Sequence, residues 1–146
     1  MKIHLLNNQL IDDIEKVSGK REWDSNELTA LCQKTLASSF NSVCAWDNYN
    51  PDPSKPYSIV NTDNKTGDHW VGAYVKGKTV YIYDSFARSM LRIMKNFYIL
   101  MKSKGYIIVM CNKKQDQTEH QINCGLRSFV WLALTNIYGI QQSKNI

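Results

Sequence analysis

One cysteine, Cys124, stands where the sequence predicts that a long helix begins. Asn123 before it is a favoured N-cap residue, because its side-chain oxygen can accept an orphan backbone N–H of the first turn. In that turn the helix dipole and the unpaired N–H groups favour a thiolate. Gly125 beside the sulfur leaves room for a close approach. Cys124 is a candidate nucleophile if a histidine activates it; the alternative is a small buried hydrophobe.

Three polar residues earlier in the chain have the chemistry that a cysteine nucleophile needs. The imidazole of His69 can accept the thiol proton and later donate one to a leaving amine, while Asp84 can hold the other ring nitrogen. The side-chain amide of Gln117 can donate to an oxyanion beside the Cys124 backbone N–H. His120 ranks behind His69 as the base, because a neighbour at a helix start usually points away and it has no acidic partner.

The histidine and the acid flank a predicted β-hairpin. The segments 69–75 and 78–84 are apolar or aromatic on both faces, which is typical of strands in the middle of a sheet. With Lys76 and Gly77 as a two-residue turn, His69 lies directly opposite Asp84, whereas a three-residue loop would pair His69 with Ser85.

Hydrophobic periodicity and turn residues predict the remaining elements. The helix that follows Cys124 is expected to have one buried face, formed by Phe129, Val130, Ala133, Leu134 and Ile137. The others are a helix over 7–17 capped by Asn7 or Asn8, a second helix after a capping box of Asp24 and Glu27, a strand over 57–61, a third helix over 90–104 capped by Ser89, and a strand over 106–111. This order predicts an α+β fold.

Length and composition indicate one folded domain, residues 1–146. The chain has 146 residues, of which 43% are hydrophobic and 11% aromatic, and this composition excludes a disordered chain. Four cysteines without a CxxC spacing suggest a reducing compartment. No apolar run reaches membrane-spanning length and the N-terminus does not resemble a signal peptide, so we expect a soluble protein that is not secreted and has no membrane partner.

The net charge of +5 suggests attraction to polyanions, but no compact basic block carries it. A solvated basic face is the favoured interpretation, and auxiliary binding to nucleic acid stays open.

Four motifs in order resemble those of the adenovirus-type cysteine endopeptidases (adenain), which share a superfamily with the SUMO-deconjugating proteases. The resemblance covers about 57–138. Its motifs are the histidine segment at 57–62 and 67–73 with its His-Trp pair, the acidic segment at 80–86 with Asp84-Ser85-Phe86, Gln117 seven positions before the cysteine, and Cys124-Gly125. The SUMO-deconjugating proteases usually have the glutamine one residue nearer.

The resemblance implies a papain-like fold in a circularly rearranged order, with a central mixed sheet against the helix of the nucleophile and further flanking helices. It implies a Cys124–His69–Asp84 triad with Gln117 as oxyanion donor, and cleavage of viral structural precursors at small-residue sites such as Gly-Gly or Gly-Ala. We then expect a monomer in the virion and the host-cell interior, similar to the compact proteases of virophages and Maverick-type elements.

Three more residues are candidates for substrate binding: Trp70 after the histidine, Gly125 and Trp46. For Trp70 ordinary sheet packing is an equal alternative, and for Trp46 core or loop anchoring is favoured. No cofactor and no metal is expected. A zinc site from His69, Cys111, His120 and Cys124 lacks the paired short spacing of such sites.

Two other functions compete with an endopeptidase. The first is a ubiquitin- or SUMO-like deconjugating protease on the same scaffold. The second is a basic nucleic-acid-binding domain in which Cys124 is inert, and it predicts salt-sensitive DNA binding.

Overall fold

The computed structural model describes residues 2–62, 69–88, 94–111 and 122–146. The helices there are α1 (Ile3–Ser18), α2 (Ser25–Leu36), α3 (Lys95–Ser103), α4 (Cys124–Tyr138) and α5 (Ile140–Ser143). The strands are β1 (Phe40–Ala45), β2 (Tyr57–Asn61), β3 (Trp70–Lys76), β4 (Thr79–Tyr83) and β5 (Ile107–Met110). Predictions for Ser89, Gln117 and His120 fall outside the described residues.

The strands form one mixed sheet in the order β1-β2-β3-β4-β5. The outer pairs, β1 with β2 and β4 with β5, are parallel, whereas β3 runs antiparallel to both of its neighbours. The predicted α+β class with a central mixed sheet is confirmed at this level. The hairpin of β3 and β4 lies at the centre of the sheet, as its two apolar faces predict.

The predicted hairpin register was wrong. Lys76 pairs with Thr79, so the turn consists of Gly77 and Lys78, and Gly77 has a φ of 60° at the position where a type II′ turn requires glycine. Continued past its last pair, Gly72 with Tyr83, this register sets His69 against Phe86. The residue opposite His69 thus shifts by two positions, and side chains on a strand alternate between the two faces with a period of two. His69 and Asp84 therefore keep the same face and remain diagonal neighbours.

Two apolar clusters cover the two faces of the sheet. On one face α4, with α1 and α2 outside it, packs on the strands through residues that include Leu28, Ile59, Tyr83 and Trp131. On the other face α3 contributes Phe97 and Met101, which pack with Val71, Val80 and Ile82. Alternate strand residues enter opposite clusters, which is why both faces of the hairpin are apolar.

Helix α4 is buried on nearly all sides, and the prediction of a single buried face was wrong. Eleven of its residues between Cys124 and Thr135 are buried, because the sheet covers one side and α1 and α2 cover the other. Ile137, predicted to face the core, is 67% exposed in the last turn, beyond these neighbours. A helix that is hydrophobic all round belongs in the middle of a fold, and this burial holds its first residue, Cys124, in place.

Two helix starts also differ from prediction. Helix α1 begins at Ile3, and Asn7, predicted as its cap, is buried in its second turn. Helix α3 begins at Lys95 because Met94 before it has a φ of −145°, which no helical residue adopts. The capping box of Asp24 and Glu27 is confirmed by hydrogen bonds in both directions. No helix in the described ranges is both long and apolar enough to cross a bilayer.

The close approach of α4 to β3 depends on Gly72, and this gives a testable prediction. A Cβ built on Gly72 would lie 2.9 Å from Cε3 of the buried Trp131 ring. We expect Gly72→Ala to lower the free energy of unfolding by about 1–3 kcal/mol, the usual cost of overpacking a core. Urea denaturation measures it, with the exposed Lys76→Ala at the end of β3 as control. Wild-type stability for Gly72→Ala would contradict the tight packing.

Candidate active site

Cys124 is the first residue of α4, and its sulfur faces the start of β3. The Trp70 backbone N–H donates to Sγ of Cys124 over 3.5 Å, and Cys124 is 8% exposed. Ser128, one turn along α4, holds the two elements together: its hydroxyl lies 2.8 Å from the carbonyl oxygen of Cys124 and 3.2 Å from that of Trp70. The sulfur is therefore held against the sheet.

His69, directly before β3, lies between the acid and the thiol. Its Nε2 is 2.6 Å from Oδ1 of Asp84, and the Cys124 thiol is close enough to the ring to raise the pKa of the imidazole. Because Nε2 is taken by Asp84, Nδ1 is the nitrogen left for the sulfur. The Phe86 ring packs against the imidazole with centroids 5.3 Å apart, which restricts its rotation. We call Cys124, His69 and Asp84 the Cys–His–Asp cluster.

Asp84, just after β4, is completely buried and accepts several hydrogen bonds. The backbone N–H of Phe86 donates to Oδ1 over 3.2 Å. Oδ2 accepts from both the backbone N–H and Nε of Arg88, each over 3.1 Å. Burial alone favours the neutral acid, but the bonds from His69 and Arg88 outweigh it and lower the pKa of Asp84 to about 2. The carboxylate is therefore ionised at neutral pH.

The same contacts favour the imidazolium form of His69. Burial alone lowers the pKa of this ring, but the hydrogen bonds to Asp84 and Cys124 and the charges of both partners outweigh it, so the pKa is raised above its ordinary value. The cluster thus brings together a thiol, an imidazole and an ionised carboxylate, the groups on which nucleophilic catalysis by cysteine depends.

The side chain of Asn123 does not cap α4, contrary to prediction. Asn123 occupies the N-cap position, but its Oδ1 accepts from Nε of Arg127 over 3.0 Å and its Nδ2 donates to Oε2 of Glu15 over 3.4 Å. The asparagine therefore joins the start of α4 to α1. Donors in the first turn, including the N–H groups next to the sulfur, are then not occupied by this side chain.

The three candidate substrate residues have different positions. Trp70 is half-buried and lies beside Gly125, where a Cβ would be 3.2 Å from Cδ1 of Trp70 and 3.0 Å from Cδ1 of Leu28. The space that Gly125 leaves is thus occupied by the side chains of Trp70 and Leu28. Trp46 packs with the apolar cluster that α3 forms with Val71, Val80 and Ile82, which we call the α3-side cluster, on the sheet face opposite to α4. The structure brings Trp70 and Gly125, but not Trp46, together with Cys124.

Two residues of the site were not anticipated in the sequence. Arg88 bonds to Asp84 with its backbone and its side chain, and Phe86 packs on the ring of His69. Ala87 between them has a φ of 54°, and its N–H donates to the Asp84 carbonyl over 2.8 Å. The spacing of two and four residues from Asp84 was a usable signal, because a carboxylate often binds N–H groups of the turn that follows it. In the described ranges no three ionisable side chains form a metal-binding group.

The other cysteines differ from Cys124 in ways that predict selective alkylation. All four thiols are free. Burial raises the pKa of Cys32 and of Cys111 to about 12, and it also raises the pKa of Cys44. We expect iodoacetamide at pH 7 to modify Cys124 at least about 10²-fold faster than Cys32 or Cys111, since only the thiolate reacts. Peptide mapping by mass spectrometry measures this selectivity, and equal labelling of these cysteines would contradict it.

Compared with models of known protein families and with curated proteins, the sequence matches none.

Proposed function

We propose that the protein is a cysteine endopeptidase in which Cys124 is the nucleophile. The observation that carries this proposal is the position of His69, whose ring lies 2.6 Å from Oδ1 of the buried Asp84 and close enough to the Cys124 thiol for that group to raise the pKa of the imidazole. A merely structural cysteine needs neither an imidazole nor an ionised carboxylate behind it. The arrangement matches the roles required for covalent acyl transfer.

The proposed reaction has two halves. The thiolate of Cys124 attacks the scissile carbonyl carbon, and a C–S bond forms as the carbonyl electron pair moves onto oxygen. The His69 imidazolium donates its Nδ1 proton to the amine as the C–N bond breaks, which leaves a thioester. Neutral His69 then accepts a proton from water, whose oxygen attacks the thioester. The acid is released, and the thiolate and the imidazolium are restored.

The negative oxygen of each tetrahedral intermediate needs donors. N–H groups in the first turn of α4 have no intrahelical acceptor, so the backbone N–H of Cys124 is one candidate. We propose the side-chain amide of Gln117 as the second, on the sequence motif alone. Removal of one such donor typically costs about 10²–10³ in turnover, and Gln117→Ala tests this part of the proposal.

The proposed substrates are viral structural precursors cleaved after small residues, and the proposed fold is adenain-like. The sequence motifs support this, as does a mixed sheet packed against the helix that begins with Cys124. Trp70 beside a thiol that is only 8% exposed favours small residues at the scissile bond, since a large side chain would meet the indole. We place the activity in the virion and the host-cell interior.

Cleavage of a peptide library with mass-spectrometric detection of the products tests the function. We expect cuts after Gly-Gly or Gly-Ala pairs, inhibition by iodoacetamide and resistance to a metal chelator. Capsid precursors are then compared with ubiquitin-like proteins extended beyond their terminal diglycine. Preference for the modifiers would show a deconjugating protease instead. Absence of any cleavage, together with tight, salt-sensitive DNA binding, would support the nucleic-acid-binding alternative and end the proposal.

A further inference from the structure

Arg88 extends the Cys–His–Asp cluster by one more charge. Its guanidinium Nε donates to Oδ2 of Asp84 over 3.1 Å, on the side of the carboxylate away from His69, which is bound by Oδ1. The guanidinium lies over the Phe86 ring at 4.9 Å, and this ring packs on the imidazole of His69. The thiol, the imidazole, the carboxylate and the guanidinium therefore follow one another in space.

The orientation of Asp84 does not depend on the Arg88 side chain alone. The backbone N–H of Phe86 donates to Oδ1 and the backbone N–H of Arg88 donates to Oδ2. Both donors belong to the backbone, so neither bond requires the side chain of residue 88. What the guanidinium adds is a positive charge, placed against a carboxylate that is completely buried and so weakly screened.

We propose that Arg88 is a positioning residue that acts through Asp84: its guanidinium shares the carboxylate with His69 and thereby limits how strongly the imidazole holds its proton. The proposal rests on the proposed endopeptidase, because this proton must be released to the leaving amine in each cycle. If the whole negative charge of Asp84 acted on His69, the imidazole would retain its proton more firmly. Arg88 thus brings the acid–base group closer to the working pH.

The sign of the effect follows from the charges around His69. In the part of the chain that the structure describes, the ionisable groups that act on its ring are Asp84, after β4, and Cys124, on α4, with Arg88 beyond Asp84. Both neighbours favour the imidazolium, whereas the guanidinium disfavours it by repulsion and by neutralising part of the carboxylate charge. Removal of the Arg88 charge should therefore raise the pH at which His69 loses its proton.

The test is an NMR titration of the ¹⁵N-labelled imidazole in wild type and in Arg88→Gln, which keeps a hydrogen-bond donor but no charge. We expect the His69 midpoint to rise by about one pH unit in Arg88→Gln and to stay near the wild-type value in Arg88→Lys. The signals are assigned as those missing in His69→Ala. If Arg88→Gln does not fold, Arg88→Met, whose stem still covers Phe86, replaces it.

Arg21→Gln is the matched control, because Arg21 also pairs with a carboxylate, that of Glu27, and also covers an aromatic ring, that of Trp23 at 4.1 Å. It should leave the midpoint unchanged. An unchanged or lower midpoint in Arg88→Gln, or an equal shift in Arg88→Lys or Arg21→Gln, overturns the proposal. The titration needs no substrate, so a chain that cleaves no peptide would refute the proposed function separately. In an active enzyme, the basic limb of kcat/KM against pH should move upward with the midpoint.

Discussion

Replacement of Cys124 by alanine is expected to abolish peptide cleavage and leave the fold intact. The sulfur forms the bond to the acyl group, and the alanine side chain offers no nucleophile in its place. Loss of a triad nucleophile lowers turnover by a factor on the order of 10⁵–10⁶. The structural cost should be small, because the substitution removes one atom from a site that is already 8% exposed.

Cys44→Ala is the matched control for Cys124→Ala. Cys44 is a half-buried free thiol on β1 that packs with the α3-side cluster, on the other face of the sheet. This variant should cleave at the wild-type rate, and both variants should unfold within about 1 kcal/mol of wild type. Cleavage that survives in Cys124→Ala, or is lost equally in Cys44→Ala, would contradict the assignment of the nucleophile.

Asp84→Asn is expected to lower kcat by a factor on the order of 10³–10⁴ with a nearly unchanged shape of the site. The amide cannot stabilise an imidazolium, and a donor –NH₂ group that faces Nε2 of His69 favours the wrong tautomer. The substitution also leaves the Arg88 guanidinium opposite a neutral group. Steady-state kinetics on a peptide substrate measure the effect. A change in KM with an unaltered kcat would show that Asp84 serves binding instead.

The same variant tests the contribution of Asp84 to stability. The pKa of Asp84 in the folded chain is about 2, below the value of about 3.9 for an unfolded aspartate. The carboxylate therefore stabilises the fold above about pH 4 by about 2–3 kcal/mol, and this is lost as pH falls towards 2. The free energy of unfolding of wild type should fall over that window more steeply than that of Asp84→Asn. Parallel curves for the two proteins would contradict the charged, paired state.

The His69–Asp84 contact shows what sequence reasoning can establish about the site. The hairpin was predictable because two apolar runs flank a turn that contains a glycine, yet the turn was placed one residue too early. A sequence thus predicts the pairing of two strands only to within a residue or two. The sheet face on which a side chain lies is preserved when the pairing shifts by two residues. The contact between the ring and the acid depends on face and proximity, and the structure brings the two side chains together despite the wrong register.

Arg88 and the burial of α4 show what the sequence did not reveal. The role of Arg88 depends on the turn after β4, where Ala87 adopts a positive φ and directs the next N–H and side chain to Asp84. No local pattern predicts such a conformation for alanine. The burial of α4 depends on α1 and α2 packing across it from distant parts of the chain. The hydrophobic periodicity of a sequence shows which side of one helix is apolar. It does not show how many other elements cover that helix in the folded chain.

Labelling with a peptide that carries an electrophile at its C-terminus, such as a Gly-Gly vinyl sulfone, tests the central claim most directly. Mass spectrometry locates the adduct in wild type and in His69→Ala. If Cys124 is a nucleophile activated by His69, wild type acquires one adduct, on Cys124, and His69→Ala acquires it more slowly by about 10²-fold or more. An adduct on another cysteine, or an equal rate in the two proteins, would contradict the account.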